Sequence, residues 1–253
     1  RDYSWGEENC RQLWKDVLLI AEAPGDRGHF IGSVVYVQSG EGSASFPRWL
    51  LIDGQQRMTT LTLLMAALRD HITETGWSDE AEDLTPEKID AYFLRNPLER
   101  GEKAFKLRLR RQDNETLQAI LSGGSPPDPV SARLTDNYEL FRDLLLEEDP
   151  KRVFAGVNRL VLVDVMLHRG TDDPQLIFES LNSTGVDLSA SDLIRNFILM
   201  SLPEEEQTRL YQDYWSRIED LFRGNDRVFS NFIRDYLALR SRPSKLERSD
   251  QVY

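Results

Sequence analysis

The sequence predicts an α+β protein, with a small mixed sheet built early in the chain and a mostly helical subdomain attached. Three observations carry this reading. Segments rich in β-branched and aromatic residues are few and sit mainly at 30–37 and 48–52. One later run, Arg159-Leu160-Val161-Leu162-Val163-Asp164-Val165, is apolar enough for a buried strand. Helical periodicity dominates from about residue 110 onward. We find no internal repeat. The chain divides into an α/β core at 1–75, joined by strand 159–167 and segment 174–200, and a helical portion at 76–158 and 201–253.

Taken in order, Ser4 is placed to cap a helix through about Ala21, with Glu7 as the capping-box partner. Pro24-Gly25-Asp26 ends it. Strands 30–37 and 48–52 flank a Gly/Ser loop, which suggests an antiparallel hairpin. From Gln55 to about Ile72 runs the strongest helix, with Leu61, Leu64, Met65, Leu68 and Ile72 on one face. Asp53 and Gln56 have the spacing of an N-cap and its reciprocal partner. An acidic loop at 76–86 precedes helix signals at 86–95, and Phe105 to Arg110 alternates like a short strand. Ser122 to Pro129 is the clearest breaker. A helix carrying Tyr138, Leu140, Phe141, Leu144 and Leu145 follows it. After Pro174 a short helix ends near Gly185, and Ser189 with Asp192 opens another through about Met200. Amphipathic helices at roughly 203–223 and 227–240 precede a polar tail.

Composition narrows the function classes. Charged residues at 29% and apolar residues at 40% fit a soluble globular chain rather than a disordered one. The single cysteine, Cys10, excludes an intramolecular disulfide framework and suits a reducing cytosol. No apolar run reaches membrane-spanning length. The chain opens at Arg1 without an initiator Met and reads as a trimmed piece of a longer one. Net charge is −12, from 31 basic and 43 acidic residues, which argues against a general DNA-coating surface.

Three stretches carry candidate chemistry. At Asp53-Gly54-Gln55-Gln56-Arg57 a strand passes through glycine into a helix whose first N–H groups have no helical acceptor. Arg57 offers a bidentate fork for phosphate, Thr59 and Thr60 add hydroxyls, and Asp53 is a carboxylate suited to magnesium. Spacing alone leaves two readings of this corner open: an anion site, or a capped helix with a solvated Arg57. The second stretch, Phe178 to Asn196, sets Asn182, Ser183 and Thr184 before Asp192 and Arg195, where they could face a polar ligand, although spacing alone favours two capped helices joined by a turn. The third is Arg1, Tyr3 and Trp5, where a cation beside aromatics suits stacking or phosphate contact, with core packing as the alternative. Of three histidines, His29 is kept as a site candidate because it precedes a strand near Arg27. The sequence holds no P-loop, no Gly-x-Gly-x-x-Gly after a strand, no zinc-spaced His-Cys cluster and no Gly-x-Ser-x-Gly.

Together these stretches resemble one family, the N-terminal DGQQR domain of the GmrSD-type, modification-dependent (type IV) restriction enzymes. The same domain is found in the phosphorothioate-sensing defence protein SspE and in BrxU. The residues that carry the resemblance are Arg1-Asp2-Tyr3-Ser4-Trp5, His29-Phe30-Ile31-Gly32-Ser33, Ile52 to Leu61 around the Asp-Gly-Gln-Gln-Arg string, and Phe178 to Asn196. It covers about residues 1–200 and favours the functional reading of the 53–57 corner.

The resemblance implies a ParB/sulfiredoxin-like core and hydrolysis of a nucleoside triphosphate, GTP or UTP, with Mg2+. It couples that hydrolysis to restriction of modified foreign DNA, phosphorothioated or glucosylated for example. Asp53, Gln56 and Arg57 then become the catalytic set, with Asp53 as metal ligand. Gly54, Gln55, Thr59, Thr60, Asn182 and Arg195 become phosphate-binding residues. Arg1, Tyr3, Trp5, His29 and Asp192 become rim or DNA contacts. Two departures stand out: Arg195 occupies a position where Lys is frequent, and the Gln that precedes Arg1 in the pattern lies outside the chain. No His-Asn-His nuclease motif exists here, so the implied partner is a C-terminal nuclease domain or a separate nuclease subunit. A bacterial cytoplasmic setting and no membrane partner follow, with homo-oligomerisation open. Two other readings stay open: a non-enzymatic module that senses modified DNA, and a DNA nickase domain.

Overall fold

The computed structural model describes residues 2–25, 27–43, 46–81, 83–168, 209–222 and 225–241, with single positions at 194, 198, 202 and 206. Within them run α1 (Glu7–Glu22), β1 (His29–Ser43), β2 (Phe46–Asp53) and α2 (Gln55–Thr75). After them come α3 (Pro86–Ile89), prolonged by a π-type turn at Asp90–Leu94, a 3₁₀ turn at Gly101–Ala104, α4 (Arg111–Leu121), α5 (Ala132–Leu145), α6 (Pro150–Val157) and β3 (Leu160–Leu167). A second π-type turn, Tyr211–Trp215, leads into α7 (Ser216–Phe222), and α8 spans Asp226–Ser241.

The three strands form one sheet in the order β2-β1-β3. β1 and β2 are neighbours in sequence and make the expected hairpin. The His29 N–H donates to the Arg159 carbonyl at 2.9 Å, joining the starts of β1 and β3. Farther along, Tyr36 meets Asp164, so these two strands run in the same direction and the sheet is mixed. The parallel pairing requires a long connection, and α2 to α6 supply it.

The chain forms two compact units: residues 1–36 with 51–165, and 37–50 with 166–253. In the first, α2 is the central element. Leu63, Leu64 and Leu68 are fully buried, and each contributes about 1.5–3 kcal/mol of apolar burial. Across from them stand Leu134, Phe141 and Leu145 of α5, while Leu13, Trp14 and Val17 of α1 and Val153 of α6 extend the same core. α2 is buried on nearly every side, which explains why Thr59, Thr60 and Thr62 are also closed off from solvent. Arg69, only 8% exposed, is the charged residue inside this layer. Its guanidinium meets Asp70 and Asp90 and donates to the Leu121 carbonyl at 2.9 Å, closing the C-terminus of α4. In the second unit Phe222 stacks on Phe229 at 5.0 Å, and Trp215 lies edge-on to Phe229.

Three local expectations are corrected. The N-cap of α1 is Gly6, closed by the Asn9 side chain, not Ser4. The Ser4 N–H is taken by Gln56, which holds the preceding residues extended and delays the helix. The N-cap of α2 is Gly54, so the Asp53/Gln56 capping box does not form. Asp53 is instead the last residue of β2. Phe105 to Arg110 is not a strand: a single bridge joins Phe105 to Arg95. Phe105, Leu107 and Leu109 pack onto the helical core instead of finding a sheet neighbour. Among the described residues, no helix is long and apolar enough to cross a membrane.

Candidate functional site

The turn from β2 into α2 is possible because residue 54 is glycine. Its φ of 88° lies in the left-handed region, and a β-carbon there would stand 3.0 Å from the Ser33 carbonyl oxygen. The first turn of α2 is thereby laid directly on β1. Gln55 steadies the turn by donating to the Leu51 carbonyl at 2.7 Å.

Arg57 reaches back over this junction. Its Nη2 meets Asp53 Oδ2 at 3.2 Å, and its Nη1 donates to the Ile31 carbonyl at 3.1 Å. The guanidinium lies on Gly32, whose φ is +116°. The Ile31 carbonyl, the Gly32 backbone beneath it and the Asp53 carboxylate thus fix the fork, while part of the side chain stays open to solvent.

Gln56 faces the other way. Its Oε1 accepts from the N–H groups of Ser4 (2.8 Å) and Trp5 (3.2 Å), and its Nε2 donates to the Asp2 carbonyl at 3.0 Å. Between these anchors Tyr3 turns inward. Its N–H donates to Asp113, and its buried hydroxyl lies 2.7 Å from Thr60 Oγ1 and accepts from Asn137 at 2.9 Å. Asn137 also holds the Trp5 carbonyl. Burial pushes the Tyr3 phenol well above its ordinary range. Tyr3 is therefore a buried core anchor, the placement the core-packing alternative describes. The hydroxyls of Thr59 and Thr60 donate to the Gln55 and Gln56 carbonyls inside α2, so the structure turns them away from a surface ligand.

The result of this pinning is a cleft of about 400 Å³ between α1, the start of β1 and the first turns of α2. Three sequence-predicted residues share its lining: Trp5, His29 and Arg57. The cleft also contains residues that sequence reasoning missed, Asn9, Gln12 and Asp16 of α1. Their spacing along the helix places them on one face, and that polar stripe beside the apolar Leu13 and Val17 was the available signal. Gln12 Nε2 donates to Asp16 Oδ1 at 2.9 Å, and Asp16 Oδ2 stands 3.6 Å from His29 Nε2.

Such a cleft can bind an anion through Arg57, stack a planar group on Trp5 and exchange a proton at His29. Among the described residues there is no group of three or more His, Cys, Asp or Glu able to hold an ion. Asp53 offers one carboxylate, already paired with Arg57. A magnesium ion held by one carboxylate and the phosphates of a nucleotide would find that carboxylate in Asp53. Arg1, Asn182, Asp192 and Arg195 lie outside the described residues.

A family model described as the N-terminal domain of GmrSD restriction endonucleases matches residues 1–199, a span that contains every site residue named above. No curated protein matches the chain.

Proposed function

The chain belongs to the N-terminal domain family of GmrSD restriction endonucleases, and from that premise we propose that it is the nucleotide-hydrolysing regulatory part of its restriction system. Membership makes the chain a restriction-system component, with DNA as the target and a nuclease as the partner. The finer reading is ours: a GTP- or UTP-type triphosphatase on a ParB-like core, acting in restriction of phosphorothioated or glucosylated DNA.

The observation that carries this reading is the fixed Arg57 fork at the mouth of α2. A guanidinium held by Asp53 and the Ile31 carbonyl is pre-set for phosphate oxygens and needs little reorganisation as charge develops on them. The first turn of α2 adds helix N–H groups at Gln55, Gln56 and Arg57. Trp5 supplies a flat apolar wall for a base or sugar. Asp53 acts through Arg57, and Gln56 acts through the N-terminal segment it pins. Asn182, Asp192 and Arg195 enter the proposal through the family resemblance alone, since they lie outside the described residues.

Phosphate release from several triphosphates, measured for the wild type, Arg57→Ala and Asp53→Ala, tests the proposal. We expect turnover by the wild type, a loss of at least about 100-fold in Arg57→Ala and a smaller loss in Asp53→Ala. Equal release from all three sinks it. Tight, modification-dependent DNA binding with no hydrolysis would instead favour the sensing module.

A further inference from the structure

We propose that His29 is the proton acceptor of this cleft and that Asp16, itself oriented by Gln12, is the residue that positions it. The inference rests on the hydrolytic reading of the same cleft and assigns the one role that Arg57 cannot fill.

Among the described residues lining the cleft, the ionisable ones are Asp16 from α1, His29 from β1 and Arg57 from α2. The Arg57 guanidinium carries only donors and no acceptor, so it stabilises charge but cannot take a proton. An imidazole is the side chain whose unperturbed pKa suits proton transfer near neutrality. The backbone of His29 is fixed by its N–H bond to the Arg159 carbonyl at 2.9 Å, at the pairing of β1 with β3. Its ring keeps 33% exposure, so water can reach it.

The relay from Gln12 to Asp16 to His29 follows the logic of an oriented base. Gln12 Nε2 donates to one oxygen of Asp16 at 2.9 Å, and the other oxygen faces His29 Nε2 at 3.6 Å. With Nε2 carrying the hydrogen toward Asp16, the neutral tautomer leaves Nδ1 as the acceptor. The contact is longer than a hydrogen bond and shortens when the ring is protonated and the pair becomes ionic. In the step, a water O–H proton passes to His29 Nδ1 while the water oxygen bonds to the terminal phosphorus. The bond from that phosphorus to the bridging oxygen breaks, and the nucleoside diphosphate leaves with the electron pair. The proton on His29 is then lost to solvent, which resets the site.

The test uses the purified chain with His29→Gln and Asp16→Asn beside wild type and Arg57→Ala, reading steady-state kinetics across pH and the His29 ring signal by NMR. His29→Gln identifies that signal among the three histidines. We expect His29→Gln to lose about 100-fold in kcat with KM nearly unchanged, and to lose the acid limb of the pH profile. Asp16→Asn is expected to lose less rate than His29→Gln and to change the balance of the two neutral ring tautomers read from the His29 nitrogen signals. If Arg57→Ala abolishes turnover while His29→Gln keeps the wild-type rate and profile, the inference falls and the hydrolytic reading stands. If the wild type releases no phosphate from any triphosphate, both fall. An unchanged His29 tautomer balance in Asp16→Asn overturns the positioning role.

Discussion

The Arg57 guanidinium rests on Gly32 so closely that a β-carbon at residue 32 would stand 1.8 Å from Nη1. Two motifs far apart in sequence, the β1 segment around Gly32 and the Asp-Gly-Gln-Gln-Arg string, are therefore one device. The glycine supplies the floor on which the arginine lies. Gly32→Ala must both adopt φ of +116° and displace the fork. It is expected to lower stability by about 1–3 kcal/mol and to reduce phosphate release as far as Arg57→Ala does. Wild-type turnover in Gly32→Ala would show that the position of Arg57 does not matter.

Gln56 is expected to act on the N-terminal segment rather than on phosphate. Gln56→Ala removes three hydrogen bonds to residues 2–5 and should cost about 1–2 kcal/mol in urea denaturation, with faster proteolysis near Trp5. Gln56→Glu keeps the acceptor for Ser4 and Trp5 but loses the donor to Asp2, so its loss should be smaller. A variant that halves turnover without exposing the segment would restore Gln56 to a direct catalytic role.

Arg69 holds two carboxylates and the end of α4 inside the first unit. Arg69→Met keeps much of the volume but leaves Asp70 and Asp90 without their cation. The expected loss is about 3–5 kcal/mol, read from the urea midpoint. Asp70 also accepts from the Tyr138 hydroxyl at 2.6 Å, and burial, its largest cause, helps push that phenol up to about 12. Tyr138→Phe should therefore destabilise by less, about 1 kcal/mol.

Cys10 is fully buried, and burial pushes its thiol up to about 11. The reactive thiolate is therefore scarce at pH 8, well below that value. Native protein should resist a thiol reagent at pH 8, while protein unfolded in guanidinium should react at the rate of a free cysteine. Prompt labelling of the native chain would mean that α1 opens far more readily than its packing implies.

Much of the fold was legible from pattern. The hairpin, the α2 helix and the apolar run that becomes β3 announce themselves through alternation, β-branched content or helical period, although β3 is an edge strand of the described sheet with Val161, Val163 and Met166 exposed rather than the buried strand expected. Caps were less legible: Asp53 and Gln56 have capping spacing, but the pairing of Asp53 with Arg57 and the anchoring of residues 2–5 took their side chains elsewhere. The Phe105 run alternated convincingly, yet its apolar residues served a helical core. Of the site, the Arg57 corner was readable as an anion-friendly helix start. Asp16 and Gln12 were not, since their role depends on α1 lying beside the start of β1, a long-range contact that no local pattern encodes.

The central claim is that triphosphate binds at the Arg57 fork. A structure of the chain with a non-hydrolysable triphosphate and magnesium tests it most directly. The account predicts phosphate oxygens within hydrogen-bonding reach of Arg57 and the first turn of α2, with the base against Trp5. Phosphates seated anywhere else, with the Arg57 fork still closed on Asp53 and the Ile31 carbonyl, would contradict it.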